Sequence, residues 1–264
     1  MVEPMADNTN GRAAGEADFG FRRVPESDKQ GLVRAVFQGV APRYDLMNDL
    51  MSAGVHRLWK AALVDALAPQ PGARILDIAG GTGDIALRIH ARLARQPDRP
   101  ASEIIVSDIN HDMIEVGRSR AIDRGILSGI SWICADAESL PFPDMSVDAC
   151  TVAFGLRNVT HLERALADAR RVLRPGGRFL CLEFSHVTLP VLDRLYDRYS
   201  FAVLPTLGRA VTGQEDAYRY LVESIRRFPR QEEFAARIGA AGFDRVGFRN
   251  LSGGIAALHG AWRL

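Results

Sequence analysis

The 264 residues carry 33 Lys and Arg against 32 Asp and Glu, a formal net charge of +1, so the overall basic field that marks nucleic-acid binders is missing and DNA or RNA is not the expected partner. The length suits one large α/β domain with additions better than two full-sized domains. No apolar run approaches the roughly 18 residues of a membrane span, and the first residues lack the apolar centre of a signal peptide, which argues against a spanning or secreted chain. Cys134, Cys150 and Cys181 each lie in an apolar stretch without CxxC spacing, as expected for reduced core residues of a cytoplasmic protein. No His falls at zinc-ligand spacing with another His or Cys, so no metal is expected.

Residues 1 to about 20 mix Ala, Gly, Asn and acids without apolar periodicity, and a disordered tail is drawn through residue 28. Residues 29–264 form the expected folded domain. Within it Leu32, Val33, Val36, Phe37 and Val40 recur at helical spacing until Pro42, which marks an amphipathic helix outside the central fold. Tyr44 to Trp59 is dense in polar and aromatic residues, so 29–70 reads as a helical cover over a cofactor or substrate. Packing alone accounts equally well for Leu46, Leu50, Leu58 and Trp59.

The stretch Ile75-Leu76-Asp77-Ile78-Ala79-Gly80-Gly81-Thr82-Gly83-Asp84 reads as a buried parallel strand, a tight turn and the start of a helix. Glycines serve where backbone must approach a ligand, and a helix N-terminus attracts negative charge. Gly81, Gly83 and Ala86 also satisfy the fingerprint of nicotinamide and flavin enzymes, so the turn alone does not name its ligand. Asp77 favours S-adenosylmethionine (SAM): an acid in an apolar strand needs partners or a cation nearby, and SAM carries an ammonium and a sulfonium. A purely structural role, capping loop amides, stays open beside that reading. Asp108 ends the next strand, where a carboxylate suits a ribose diol.

Further strands are expected over 103–108, 130–134, 147–153 and 178–183, alternating with helices. Gly176-Gly177 is expected to stop the chain sharply before the last of these. Asp77, Asp108, Asp136, Arg157 with Asn158, and Glu183 with Ser185 then fall at strand ends, converging on one crevice. Residues 187–228 form an aromatic-rich insertion. A helix over 231–241 and two strands, 243–250 and 254–262, close the chain, the second antiparallel after a Ser-Gly-Gly turn.

This order of elements resembles a class I SAM-dependent methyltransferase: a Rossmann-like α/β fold with seven strands, the last antiparallel, an N-terminal helical cover and an insertion after strand 5. Tyr44-Asp45-Leu46-Met47-Asn48 through Ser52, Gly54, His56, Arg57 and Trp59, together with Phe154-Gly155-Leu156-Arg157-Asn158-Val159 and Arg171-Val172-Leu173-Arg174-Pro175-Gly176-Gly177 through Ser185, resembles the ubiquinone/menaquinone biosynthesis C-methyltransferases of the UbiE family. The resemblance implies SAM contacts at Thr82, Asp108, Asp136 and Ala137. It makes Gly80, Gly81 and Gly83 the methionine-binding loop, with Ile109 beside Asp108. At Ala153 many members have Ser, so only a backbone or van der Waals contact is expected there.

The implied reaction is ring-carbon methylation of a polyprenylated benzoquinol, or of demethylmenaquinol. Arg157 and Asn158 are expected to orient a water or stabilise the phenolate, since a guanidinium stays protonated and is no base. Tyr44, Asn48 and His56 are further candidates, and Asp108 or another crevice carboxylate is a candidate proton acceptor. Arg157 pairing with Glu183 or Asp136 merely to hold its loop is the competing expectation. Partners implied are the quinol, other quinone-biosynthesis proteins and a peripheral contact on the inner face of the membrane; a homodimer is left open. A methyltransferase for another small phenol and a non-catalytic scaffold with this fold are the alternatives.

Overall fold

The computed structural model describes residues 15–40, 49, 52, 54–95, 100–188 and 215–264. Tyr44, Asn48 and most of the 187–228 insertion lie outside them. The described chain opens with a hairpin, β1 (Glu16–Phe19) against β2 (Arg22–Pro25), and continues into α1 (Glu26–Val40). This corrects the expected tail, because folding begins well before residue 28. Phe19 is buried and stacks on Tyr220 with ring centroids 4.4 Å apart.

After α2 (His56–Leu67) come β3 (Arg74–Ile78), α3 (Asp84–Leu93), β4 (Glu103–Asp108), α4 (His111–Asp123), β5 (Ile130–Cys134), β6 (Val147–Ala153), α5 (Leu162–Val172) and β7 (Leu173–Phe184). The chain ends with α6 (Glu215–Arg227), α7 (Gln231–Ala240), β8 (Asp244–Leu251) and β9 (Ala256–Arg263). Seven strands form one sheet in the order β5-β4-β3-β6-β7-β9-β8. β3 to β7 pair in parallel, and β9 runs antiparallel to both neighbours, as expected.

Adjacent strand residues face opposite layers. Ile75 and Ile104 join Leu63, Ile85 and Tyr218 on one face, whereas Leu76 and Ile105 join Leu166, Phe179 and Phe234 on the other. With helices on both faces, such strands must be apolar almost throughout, and each fully buried side chain of this size contributes about 1.5–3 kcal/mol. That is what makes Asp77, buried in the same strand, conspicuous.

Three expectations are corrected by packing. β7 starts at Leu173, because Arg174-Pro175-Gly176-Gly177 is a loop set inside the strand: Val147 pairs with Leu173 and Ala149 with Arg178. Cys134 is exposed at the end of an outer strand, unlike buried Cys150 and Cys181. Leu58 is 69% exposed, so packing does not explain it. In the described part of the insertion, Tyr218, Leu221 and Ile225 are buried in the main core and Phe228 in the other layer.

Candidate active site

The site grows from the turn between β3 and α3. Gly80 N–H donates to Ser107 O at 3.0 Å and Gly83 N–H to Gly80 O at 2.9 Å. A Cβ on Gly80 would sit 2.8 Å from both Asp77 Oδ2 and Val106 Cγ1, so only glycine lets the turn fold back over the acid. Gly83 has φ 73° and is crowded by Trp132, 2.4 Å from any added Cβ. It serves packing and is not among the cavity-lining residues.

Under the turn lies a small cavity lined by Lys60, Asp77, Gly80, Gly81, Thr82, Asp84, Ala153 and Phe154. Asp77 Oδ1 accepts from Thr151 Oγ1 at 2.7 Å, while Oδ2 is buried without a hydrogen-bond partner among the described residues. Burial pushes the Asp77 pKa up to about 7, against the smaller opposing effect of the Thr151 bond. Lys60 Nζ donates to Asp84 Oδ2 at 2.8 Å, and Asp84 also accepts from Arg88 at 3.1 Å. These cations hold the Asp84 carboxyl below its usual range against the opposing effect of burial. Thr82 Oγ1 accepts from Arg120.

Ala79, Gly81 and Phe154 also line a larger cleft of about 290 Å³. On its floor, Asp108 accepts from Gly81 N–H and Asn110 N–H, both at 2.8 Å. Burial nevertheless raises its pKa, since these backbone bonds only partly offset desolvation. Asn110 caps α4 through Oδ1, and its buried Nδ2 has no partner among the described residues. Ile109, Asp136 and Ala137 continue the wall. The roof is α1: Gln30 Nε2 donates to Asp136 Oδ2 at 3.2 Å, Lys29 Nζ to Val159 O at 2.7 Å, and Glu26 lies 3.3 Å from His161 Nε2. Glu138 braces the far rim, accepting from the backbone N–H groups of Thr160 and His161.

Asn158 reaches the cleft, and Tyr220 Oη donates to its Oδ1 at 3.1 Å. The amide end Asn158 offers a ligand is therefore its N–H₂. Arg157, one residue earlier, points inward. Its Nη1 lies 2.7 Å from Glu183 Oε1 and 2.5 Å from Phe154 O, and both ionic side chains are essentially fully buried. Burial pushes the Glu183 pKa up, with Arg157 opposing. Of the two expectations for Arg157, the ion pair with Glu183 is what the structure contains, and Arg157 is not among the cleft-lining residues. The pair ties the short helical turn Leu156–Asn158 to the end of β7 and so sets Asn158. Phe154 adopts φ 60°, a conformation disfavoured for a bulky residue, and lies against Phe184 with ring centroids 4.6 Å apart.

The structure thus gathers Asp77, Gly80, Gly81, Thr82, Asp108, Ile109, Asp136, Ala137, Ala153 and Asn158 around two adjoining cavities that share Ala79, Gly81 and Phe154. His56 is set apart: it is buried, 3.0 Å from Ser52 Oγ, lines neither cavity, and burial lowers its pKa. Sequence reasoning did not single out Lys60, Asp84, Asn110, Glu138 or Gln30. A Lys inside an otherwise apolar helical face, Trp59-Lys60-Leu63-Val64, was the available signal for the first.

An acid with an empty acceptor oxygen, a glycine cradle that a Cβ would fill and a second acid at the adjoining strand end fit the cation and ribose of SAM, and with the sheet order they define a SAM-dependent methyltransferase of the Rossmann-like class. A solved SAM-dependent methyltransferase from Aquifex aeolicus superposes with a TM-score of 0.55 at 14% identity, covering 78% of this chain and 89% of that one. The chain belongs to the ubiE/COQ5 methyltransferase family, whose model matches residues 24–263. A ubiquinone/menaquinone biosynthesis C-methyltransferase UbiE of Brucella abortus is 57% identical over 94% of this chain and 91% of its own length. One of the same description from Brucella anthropi is 55% identical over 98% and 97%.

Proposed function

We propose that this chain methylates a ring carbon of a polyprenylated benzoquinol of the 2-methoxy-6-polyprenyl-1,4-benzoquinol type, or of demethylmenaquinol, in ubiquinone or menaquinone biosynthesis. The observation that carries this reading is the 57% identity, along nearly the whole chain, to relatives named as ubiquinone/menaquinone biosynthesis C-methyltransferases. The two adjoining cavities support it, since Asp77 and Gly80 line the smaller and Asp108, Asp136 and Asn158 line the larger.

Bound SAM supplies an electrophilic methyl group on its sulfonium. The residues of the chain do the positioning, which can replace several kcal/mol of barrier. Asp108 holds a diol, with its own oxygens fixed by two backbone N–H groups. Asn158, oriented by Tyr220 and by the Arg157–Glu183 pair, donates to the acceptor's oxygen and so favours the electron-rich phenolate. Arg157 is a positioning residue that acts through Asn158. The ring and hydroxyl protons leave to the other carboxylates facing the cleft, Asp136 or Glu138. α1 closes the roof and restricts water.

No helix among the described residues is long and apolar enough to cross a membrane. Because the acceptor carries an isoprenoid tail, the protein meets it as a peripheral protein on the inner membrane face, where other quinone-pathway proteins are its natural neighbours. Incubating the protein with SAM and each demethylated quinol, then reading the product mass, tests the assignment. Gain of one methyl on the ring carbon of either quinol supports it; turnover of neither, with SAM bound, contradicts it.

A further inference from the structure

Tyr220 owes its place to a distant part of the chain. Along α6, Tyr218, Leu221, Val222 and Ile225 are buried in the main core, which fixes that face of the helix to the sheet. At about 3.6 residues per turn Tyr220 stands on the opposite face, and it belongs to a separate buried cluster whose other two members, Phe19 and Val33, come from β1 and α1. Its ring stacks on that of Phe19 with the planes 22° apart. Burial pushes the pKa of its hydroxyl up, so the proton donated to Asn158 Oδ1 stays in place.

The hairpin is in turn seated on the same face of α6. The Phe21 N–H donates to Glu223 Oε2 at 2.9 Å, and the Arg227 guanidinium lies 5.7 Å from the centroid of the Phe21 ring. Between these contacts Gly20, at φ 60°, lies where a Cβ would run into the Glu223 side chain. Helix residues three and four apart share a face, so three consecutive hairpin residues meet Tyr220, Glu223 and Arg227 in register. A two-stranded hairpin alone is only marginally stable, and this seat is what orders it.

We propose that Phe19 is a positioning residue for methyl transfer: by packing on Tyr220 it fixes the hydroxyl that orients the Asn158 amide, so the acceptor end of the cleft is complete only while the N-terminal hairpin is seated. The inference rests on Asn158 as the group that meets the acceptor's oxygen. Because β2 runs straight into α1, the roof of the cleft, one segment both covers the cofactor and sets the donor for the acceptor. Transfer is thereby tied to a closed roof.

A double-mutant cycle tests this. Tyr220→Phe keeps the stacked rings and removes the hydroxyl, while Phe19→Leu keeps an apolar side chain and removes the stack. With SAM and a quinol, each is expected to lower kcat about 3- to 10-fold, as for one lost hydrogen bond, with SAM affinity by calorimetry unchanged. The double variant should lose no more kcat than the worse single one. A second readout needs neither SAM nor quinol: the side-chain amide signals of Asn158 in nitrogen-15 spectra, identified by their loss in Asn158→Ala, should move in Tyr220→Phe and move the same way in Phe19→Leu. Losses of kcat that multiply, a parental kcat in Phe19→Leu, or Asn158 signals that either variant leaves in place overturn the proposal. Should Phe19→Leu fail to fold, Gly20→Ala, which crowds the hairpin turn against Glu223 and leaves Tyr220 untouched, takes its place with the same outcomes. A parent that methylates no quinol contradicts the function assigned above, and the amide signals still decide whether the hairpin governs Asn158.

Discussion

Two places on the sheet's C-terminal edge each bury an acid, and they are built in opposite ways. At the end of β7, Glu183 is surrounded by its own partners: Arg157 at 2.7 Å, the backbone N–H of Phe184 at 3.0 Å and that of Arg157 at 3.4 Å. At the end of β3, Asp77 has Thr151 on one oxygen and nothing among the described residues on the other. Burial raises both pKa values. A completed acid braces a loop, whereas an incomplete one marks where a cationic ligand belongs.

That contrast is broken most severely by Glu183→Ala, which strands the Arg157 guanidinium. Removing one member of a buried pair costs about 3–5 kcal/mol, to be read as a lowered midpoint in urea unfolding. Asp77→Asn should act with the opposite sign. With its pKa at about 7, folded Asp77 keeps a proton that the unfolded chain has released above about pH 4. Its contribution to stability is therefore full below about pH 4 and is lost as pH rises through about 7. Asn keeps the Thr151 bond and cannot ionise, so at pH 8 the unliganded variant is expected to be about 2–4 kcal/mol more stable than the parent, with the difference gone near pH 4, while SAM binding is lost.

Smaller effects sharpen the distinction. Asp108→Ala removes a charged acceptor from the floor and should weaken SAM binding by about 1.5–3 kcal/mol, read by calorimetry, with the fold intact. Arg157→Lys keeps the charge beside Glu183 but loses the planar fork that also reaches Phe154 O. We expect about 1 kcal/mol of lost stability, unchanged SAM affinity and a lower kcat through a displaced Asn158. A kcat equal to the parent's would remove Arg157 from the positioning role.

The floor was legible in the sequence because its residues are placed by local rules. Asp77 interrupts a short apolar run just before the glycine turn and Asp108 ends one, and strand plus turn chemistry fixes where such residues emerge. The cover was not legible in the same way. β1 and β2 have only four residues each, and what anchors them is Phe19 on Tyr220, a partner some two hundred positions away that no local periodicity reveals. Arg157 shows a third case. Its place after β6 was clear, but which way its side chain turned depended on Glu183 at the end of another strand. Lys60 escaped notice because a lysine in a helix is normally solvated, and only the packing of α2 on the sheet buries it.

That Asp77 is held open for the cation of SAM is tested most directly by the proton count of binding, from heats of SAM association in buffers of different ionisation enthalpy. A cation arriving at a half-protonated acid favours its ionised form, with Lys60, Asp84 and Asp108 as the other charged groups around it. The parent should release on the order of half a proton near pH 7, fading to none by pH 9, where Asp77 is already ionised. Tight SAM binding with no proton exchanged anywhere between pH 6 and pH 8 would contradict the assignment.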